Sequence, residues 1–253
     1  MKLLTFTIKD LDKSLSRTLP AGQIHVWMFS LADTDNIRAC FSLLSPEEKK
    51  RLGHFQKEND RNRSLIGRSM LRYLLGRYLS YPPEKLCFET NIHGKPLLVE
   101  EKLPFSVHFN LSHSGDWIAL AFSSDTPIGI DIEKLRPSID RQKIIRRFFH
   151  PKETSVFHAP EESSHELLFF RYWTIREAFL KALGSGFAIS PDSFLVEPVS
   201  GKEVAPAKYR IIGNDKDYPG WQVEAVTAPE GYVCSICYRI QASSKALIER
   251  NSV

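Results

Sequence analysis

The stretch PIGIDIEKLRP, residues 127–137, sets Asp131 and Glu133 inside a run that otherwise reads as a buried β-strand. Strand alternation sends Ile128, Ile130 and Ile132 to one face and Gly129, Asp131 and Glu133 to the other. Cα atoms two residues apart on a strand lie roughly 6.5 to 7 Å apart, so both acids can reach one cation, with Gly129 leaving room beside them. An ordinary half-solvated strand would show the same alternation, so the pair alone decides nothing. A third acid stands in YWTIREAFLKALG, where helical spacing puts Trp173, Glu177 and Lys181 on one stripe and Ile175, Phe179 and Ala182 on an apolar one. On an exposed helix, Glu177 and Lys181 would be a simple ion pair. Yet Phe169, Phe170, Tyr172, Trp173, Phe179 and Leu180 mark this helix as largely buried, and buried charges need partners. Asp131, Glu133 and Glu177 together would form a set of hard oxygen ligands suited to Mg²⁺, which keeps waters and phosphate oxygens in its remaining positions.

The elements that must position these residues follow a plan that repeats. LSPEEKKRLGHF opens with a helix start: Ser45 as N-cap, Pro46 in the first helical position and Glu48 completing the S-x-x-E box. DRNRSLIGRSMLRYLLGRYL reads as a longer amphipathic helix, followed by LCFE, a turn at NIHGKPLL, and strands at HFNLSHS and WIALAFS. The order recurs with HPKETSVF as a helix start, ELLFFRYWTIREAFLKALG as the long helix, FLVEPVSGKEV as strands around a Gly-Lys turn, and closing strands at WQVEAV and EGYVCSICYRI. Gly76 to Gly94 spans 18 residues and Gly184 to Gly201 spans 17. These parallels predict an α+β protein made of a pseudo-twofold pair of similar halves, residues 1–124 and 125–253, meeting near Phe122 to Pro127 with a ligand cleft between them.

Composition narrows the class. A chain of 253 residues with 42% hydrophobic and 25% charged residues is globular, with disorder expected only in the tail ASSKALIERNSV. The apolar run in MKLLTFTIKDLDKS is too short for a secretory signal and none reaches a membrane span, so a cytoplasmic protein without membrane attachment is expected. Four cysteines make no disulfide framework, and Cys234 and Cys237 read as part of a core strand. A net charge of +4 suits an anionic ligand or an acidic partner without singling out nucleic acid. The cations Lys49, Lys50, Arg51, Lys57, Arg61, Arg63, Arg68, Arg72 and Arg77 crowd the first third, where a solvated helix face would also account for them.

GIDIEK, with Glu177 of WTIREAFLK 46 residues after Asp131, resembles the paired signature of the 4'-phosphopantetheinyl transferases of the Sfp-like type. SPEEKKRLGHF, HGKP and HFNLSHSG match the same family, leaving only the N-terminal strand and the C-terminal tail unplaced. Arg176 departs from the family pattern, which usually has lysine there. The resemblance implies transfer of the phosphopantetheine arm of coenzyme A to a serine of an apo acyl or peptidyl carrier protein, by a monomer that acts on no nucleic acid. It implies Mg²⁺ on Asp131, Glu133 and Glu177, with Glu177 as general base and Lys181 serving the leaving bisphosphate. It also implies coenzyme A contacts at Arg51, Ser64, Lys95, Pro96, Ser112 and His113. A metal-dependent phosphodiesterase or nuclease could use the same three acids, and a silent coenzyme A-binding or carrier-binding module could keep the same pockets.

Overall fold

The computed structural model describes residues 1–11, 18–33, 37–99, 103–137, 139–158, 162–199, 208–213 and 218–240. The Gly-Lys turn at Gly201 and the C-terminal tail, both singled out in the sequence, lie outside the described residues. Strands β1 (Lys2–Thr7) and β2 (Gln23–Ser30) come first, then helices α1 (Pro46–Leu52) and α2 (Glu58–Leu79). A short hairpin follows, β3 (Phe88–Thr90) and β4 (Pro96–Leu98), and then β5 (His108–Ser114) and β6 (Trp117–Ser123). The second half holds β7 (Ile128–Lys134), α3 (Arg141–Phe148), α4 (Glu162–Leu183), β8 (Phe194–Pro198), β9 (Lys208–Gly213), β10 (Trp221–Val226) and β11 (Tyr232–Arg239). Helix α1 starts as its sequence dictates: Ser45 Oγ accepts from the Glu48 amide at 3.2 Å, and Glu48 Oε2 accepts from the Ser45 amide at 2.9 Å.

One sheet runs β1-β2-β6-β5 and the other β7-β11-β10-β9-β8. Among the described residues all pairings are antiparallel except β1 with β2, which is parallel. Each sheet is apolar on both faces, because each is covered twice. Ile66, Met70, Leu74 and Tyr78 of α2 pack on Trp27, Phe29, Phe109 and Leu120, while Phe170, Ile175 and Phe179 of α4 pack on Val223, Val233 and Cys237. The opposite faces meet each other, with Ile24, Val26, Met28 and Ala121 against Ile128, Ile130, Ile132 and Ile236. Helix, sheet, sheet and helix thus form four layers, and the isoleucines of β7 belong to the innermost core. Cys234 and Cys237 are buried on opposite faces of β11, in different cores, as plain packing residues.

Three local features depart from the sequence reading. HPKETSVF forms a 3₁₀ segment, Pro151–His158, because the Glu153 side chain is drawn inward to Arg176 and to the amide of Val196. Helix α3, capped by Asp140 on the Lys143 amide at 3.1 Å, was not foreseen. Gly129 leaves room for helix α4, not for the acids: a Cβ there would overlap the Ala178 carbonyl oxygen and the Ala182 amide nitrogen. No helix among the described residues is long and apolar enough to cross a membrane.

Candidate active site

The close approach that Gly129 permits is what brings strand and helix chemistry together. Asp131, two residues on, is 4% exposed and faces α4. Its Oδ1 accepts from Lys181 Nζ at 2.6 Å and from Ser112 Oγ at 2.8 Å. Its Oδ2 is buried with no hydrogen-bond partner among the described residues. Glu133 Oε2 accepts from Ser114 Oγ at 2.6 Å and from Arg136 Nη2 at 3.1 Å. Burial and then the negative charge of Asp131 push the carboxyl of Glu177 above its ordinary range, with a smaller push from Glu133. Glu133 is also raised, mainly by burial. Glu133 and Glu177, both raised beside the charge of Asp131, are short of positive charge, which Lys181 and Arg136 supply only in part.

This is the test that a bound Mg²⁺ must pass. Among the described residues, no three acidic, imidazole or thiol side chains converge closely enough to cage an ion. The donor set nevertheless suits Mg²⁺, since an orphaned buried carboxylate oxygen and two destabilised acids are oxygen donors in want of a cation. An open set also fits an ion that takes most of its ligands from water and phosphate.

Strand β5 reaches the site by an unusual route. Asn110 Oδ1, Ser112 Oγ and Ser114 Oγ accept from the amides of Ile130, Ile132 and Lys134 at 2.9, 3.4 and 3.1 Å. Three side chains at every second position thereby satisfy the free edge of β7, which would otherwise expose unpaired donors. Asn110 and Ser114 were missed in the sequence, although polar residues alternating through HFNLSHS were the available signal.

A cleft of about 240 Å³ opens beside Glu177 and Lys181. Its other walls are Asn110 and Leu111, the hairpin residues His93 to Pro96, and Gly184 and Gly186 after α4. Lys95 Nζ donates to the Lys181 carbonyl at 2.6 Å and to that of Ile128 at 3.4 Å, and burial lowers its pKa to about 8. Pro96 also borders a second cleft of about 500 Å³, lined by Arg51, Arg68, Arg72 and Phe88. Arg72 is no free cation, for its fork holds Glu48 at 2.7 Å and the carbonyls of Pro83 and Leu86. Ser64 lies half-buried on α2 and lines neither cleft. His113 points away from Ser112, is exposed, and lines neither cleft.

Arg176 does not enter the site. It is fully buried, pairs with Glu153, donates to the Phe148 carbonyl at 3.2 Å, and lies over Phe149 at 4.4 Å from the ring centre.

The fold is α+β, with two layered halves and a cluster of charged groups where they meet. Residues 31–125 match the family model of the 4'-phosphopantetheinyl transferase N-terminal domain, and residues 127–237 match that of the 4'-phosphopantetheinyl transferase superfamily. The chain is 35% identical over 179 residues to the 4'-phosphopantetheinyl transferase HetI of Nostoc sp., covering 70% of this chain and 76% of that protein. Over 196 residues it is 34% identical to the 4'-phosphopantetheinyl transferase gsp of Aneurinibacillus migulanus, covering 78% and 76%. With Sfp of Bacillus subtilis it shares 36% identity over 155 residues, 61% of this chain and 66% of Sfp. This chain belongs to the 4'-phosphopantetheinyl transferase superfamily, in its Sfp-like branch.

Proposed function

We propose that the chain moves the phosphopantetheine arm of coenzyme A onto a serine hydroxyl of an apo acyl or peptidyl carrier protein, releasing adenosine 3',5'-bisphosphate. The observation that carries this reading is the meeting of Asp131 and Glu133 on β7 with Glu177 and Lys181 on α4, beside a cleft walled by Lys95 and Pro96.

In the transfer, the serine oxygen bonds to the phosphorus bearing pantetheine, and the bond from that phosphorus to the bridging oxygen breaks. Glu177 lines the cleft and takes the serine proton. Lys181, one turn further along α4, neutralises the charge that grows on the leaving bisphosphate. Lys95 adds a second ammonium to the same cleft. Held by Asp131, Glu133 and Glu177, Mg²⁺ would supply positive charge to the pyrophosphate oxygens. Arg51 and Arg68 offer guanidinium groups to the 3'-phosphate in the adjoining cleft. Ser112 acts from beneath by holding Asp131, whereas Ser64 and His113 enter the reading on resemblance alone.

The test is to incubate the chain with coenzyme A, Mg²⁺ and a panel of apo carrier domains, and to weigh each carrier by mass spectrometry. The expected result is the added mass of phosphopantetheine on one serine, lost when that serine is replaced by alanine. No gain on any carrier, beside a working transferase as control, overturns the proposal.

A further inference from the structure

The tip of the β3–β4 hairpin belongs to the first half of the chain, yet it grips the end of helix α4 in the second. Asn91 is at the centre of that grip. Its Oδ1 accepts from the amides of His93 and Lys95, each at 2.9 Å, and its Nδ2 donates to the Gly184 carbonyl at 2.8 Å. The amide orientation follows from the partners, because the reverse would set an NH₂ group against two N–H donors. Its backbone closes the same turn: the Asn91 amide donates to the Lys95 carbonyl at 3.0 Å and the Gly94 amide to the Asn91 carbonyl at 2.9 Å. Gly94, at φ +81°, completes the turn in a conformation that glycine adopts without strain.

What the turn holds matters to the cleft. Lys95, whose amide is fixed by Asn91, sends its ammonium to the Lys181 carbonyl, and the Lys181 side chain goes on to Asp131. On the other side, Gly184 ends α4 at φ +68°, and a Cβ on it would lie 3.4 Å from Asn91 Nδ2. A Cβ on Gly186 would lie 3.1 Å from that of His93. His93 to Pro96 form one wall of the smaller cleft, and Glu177, Lys181, Gly184 and Gly186 form the facing one. Asn91 lines neither wall but is hydrogen-bonded to both.

We propose that Asn91 is a positioning residue for coenzyme A, setting the separation of the two cleft walls by ordering the lysine turn through Oδ1 and clasping helix α4 through Nδ2. The proposal rests on the transferase reading for the identity of the ligand. It assigns two separable tasks to one side chain, which two substitutions can divide. Asn91→Asp keeps the acceptor for His93 and Lys95 but turns a carboxylate oxygen toward the Gly184 carbonyl, so the clasp is lost and the turn is kept. Asn91→Ala loses both.

The experiment measures coenzyme A affinity by calorimetry, amide exchange at the turn and after α4, KM for each substrate, and the melting temperature. In Asn91→Asp the amides of His93 and Lys95 stay protected while the segment from Gly184 to Gly186 exchanges faster; in Asn91→Ala both regions exchange faster. Both variants weaken coenzyme A binding by about tenfold and raise its KM likewise, with KM for the carrier changed by less than about twofold. Unchanged affinity in both variants overturns the proposal, as does an equal rise in both KM values with a falling melting temperature, which would mark a merely structural residue. Affinity lost in Asn91→Ala but kept in Asn91→Asp overturns the clasp. If the wild-type chain binds coenzyme A but modifies no carrier, the proposed transfer fails while the affinities still judge Asn91. A wild-type chain that binds no coenzyme A overturns both.

Discussion

Lys181 Nζ lies 2.6 Å from Oδ1 of Asp131, joining helix α4 to the centre of strand β7 across the contact that Gly129 makes possible. One oxygen of Asp131 is thereby neutralised and the other is left bare. The cluster is consequently asymmetric: Lys181 and Ser112 hold one oxygen of Asp131, Arg136 pairs with Glu133, and Glu177 has its carboxyl raised by burial and by the charge of Asp131.

Glu177→Gln should reduce kcat for carrier modification by about 10² to 10⁴, because it removes the proposed base in a nearly isosteric change. It should not cost stability. Burial and the neighbouring acids disfavour the ionised carboxylate, so a neutral amide relieves repulsion and leaves the melting temperature equal or higher. Single-turnover rates and thermal unfolding of the same preparation check both statements. Activity within a few-fold of wild type would remove Glu177 from the mechanism.

The acids were legible in the sequence because strand and helix periodicities are local, and each put its acids on one face without any knowledge of the partner. The same holds for Ser45 and Glu48, whose capping box is a contact three residues long. What escaped depends on pairing between distant segments. Asn110 and Ser114 gain meaning only from the free edge of β7, some 20 residues along, and the clasp of Asn91 on helix α4 only from Gly184, 93 residues away. Gly129 was noticed for the wrong neighbour, since nothing in a strand's own pattern says which helix will lie on it. The parallel pairing of β1 with β2 is likewise a matter of chain path, not of residue pattern.

Arg176 gives the second prediction, and it reverses the tolerance that its charge-conserving departure from the family pattern suggests. The guanidinium is fully buried, with Glu153 on one nitrogen, the Phe148 and Tyr172 carbonyls on the others, and Phe149 and Phe194 against its plane. A lysine has one point charge for these partners and no plane to stack. Arg176→Lys should therefore destabilise the fold by about 2 to 4 kcal/mol, leaving Glu153 poorly paired in the core. Urea unfolding measures this directly; a loss below about 0.5 kcal/mol would show that the core accepts an ammonium there.

Gly129→Ala tests the packing that sets the site. The added methyl group would overlap the Ala178 carbonyl oxygen and the Ala182 amide nitrogen, and would lie 3.0 Å from the Ala182 Cα. These are backbone atoms of a buried helix and cannot step aside singly, so α4 must lift from β7 as a body. A loss of about 2 to 4 kcal/mol is expected, together with a fall in kcat in whatever fraction remains folded, since Lys181 would be drawn away from Asp131. Retained stability with full activity would show that the helix has slack.

The last prediction concerns acid stability and a buried histidine of the first half. His25 is 1% exposed on β2 and is held in a run of hydrogen bonds that suits only the neutral ring. Trp27 Nε1 donates to the Tyr78 hydroxyl at 2.8 Å, that hydroxyl stands 2.9 Å from His25 Nδ1, and His25 Nε2 stands 3.3 Å from Gln23 Oε1. With the phenol donating to Nδ1 and Nε2–H donating to Gln23, every group is satisfied; a proton on Nδ1 would set two donors against each other. Burial accordingly lowers the pKa of His25 from 6.5 to about 4. Because the folded value is the lower one, the unfolded chain binds more protons through this window. The stability due to the neutral ring is complete above pH 6.5 and is lost as the pH falls toward 4. The loss should amount to about 2 to 3 kcal/mol. His25→Gln, which keeps a polar group opposite Tyr78 but cannot ionise, should flatten the pH dependence across that window even where it lowers stability at neutral pH. Urea unfolding of both chains at several pH values between 4 and 6.5 gives the difference, in which every other titrating group cancels. Parallel curves would mean that His25 binds its proton equally well folded and unfolded, and that the Trp27–Tyr78–His25 run does not hold the ring neutral.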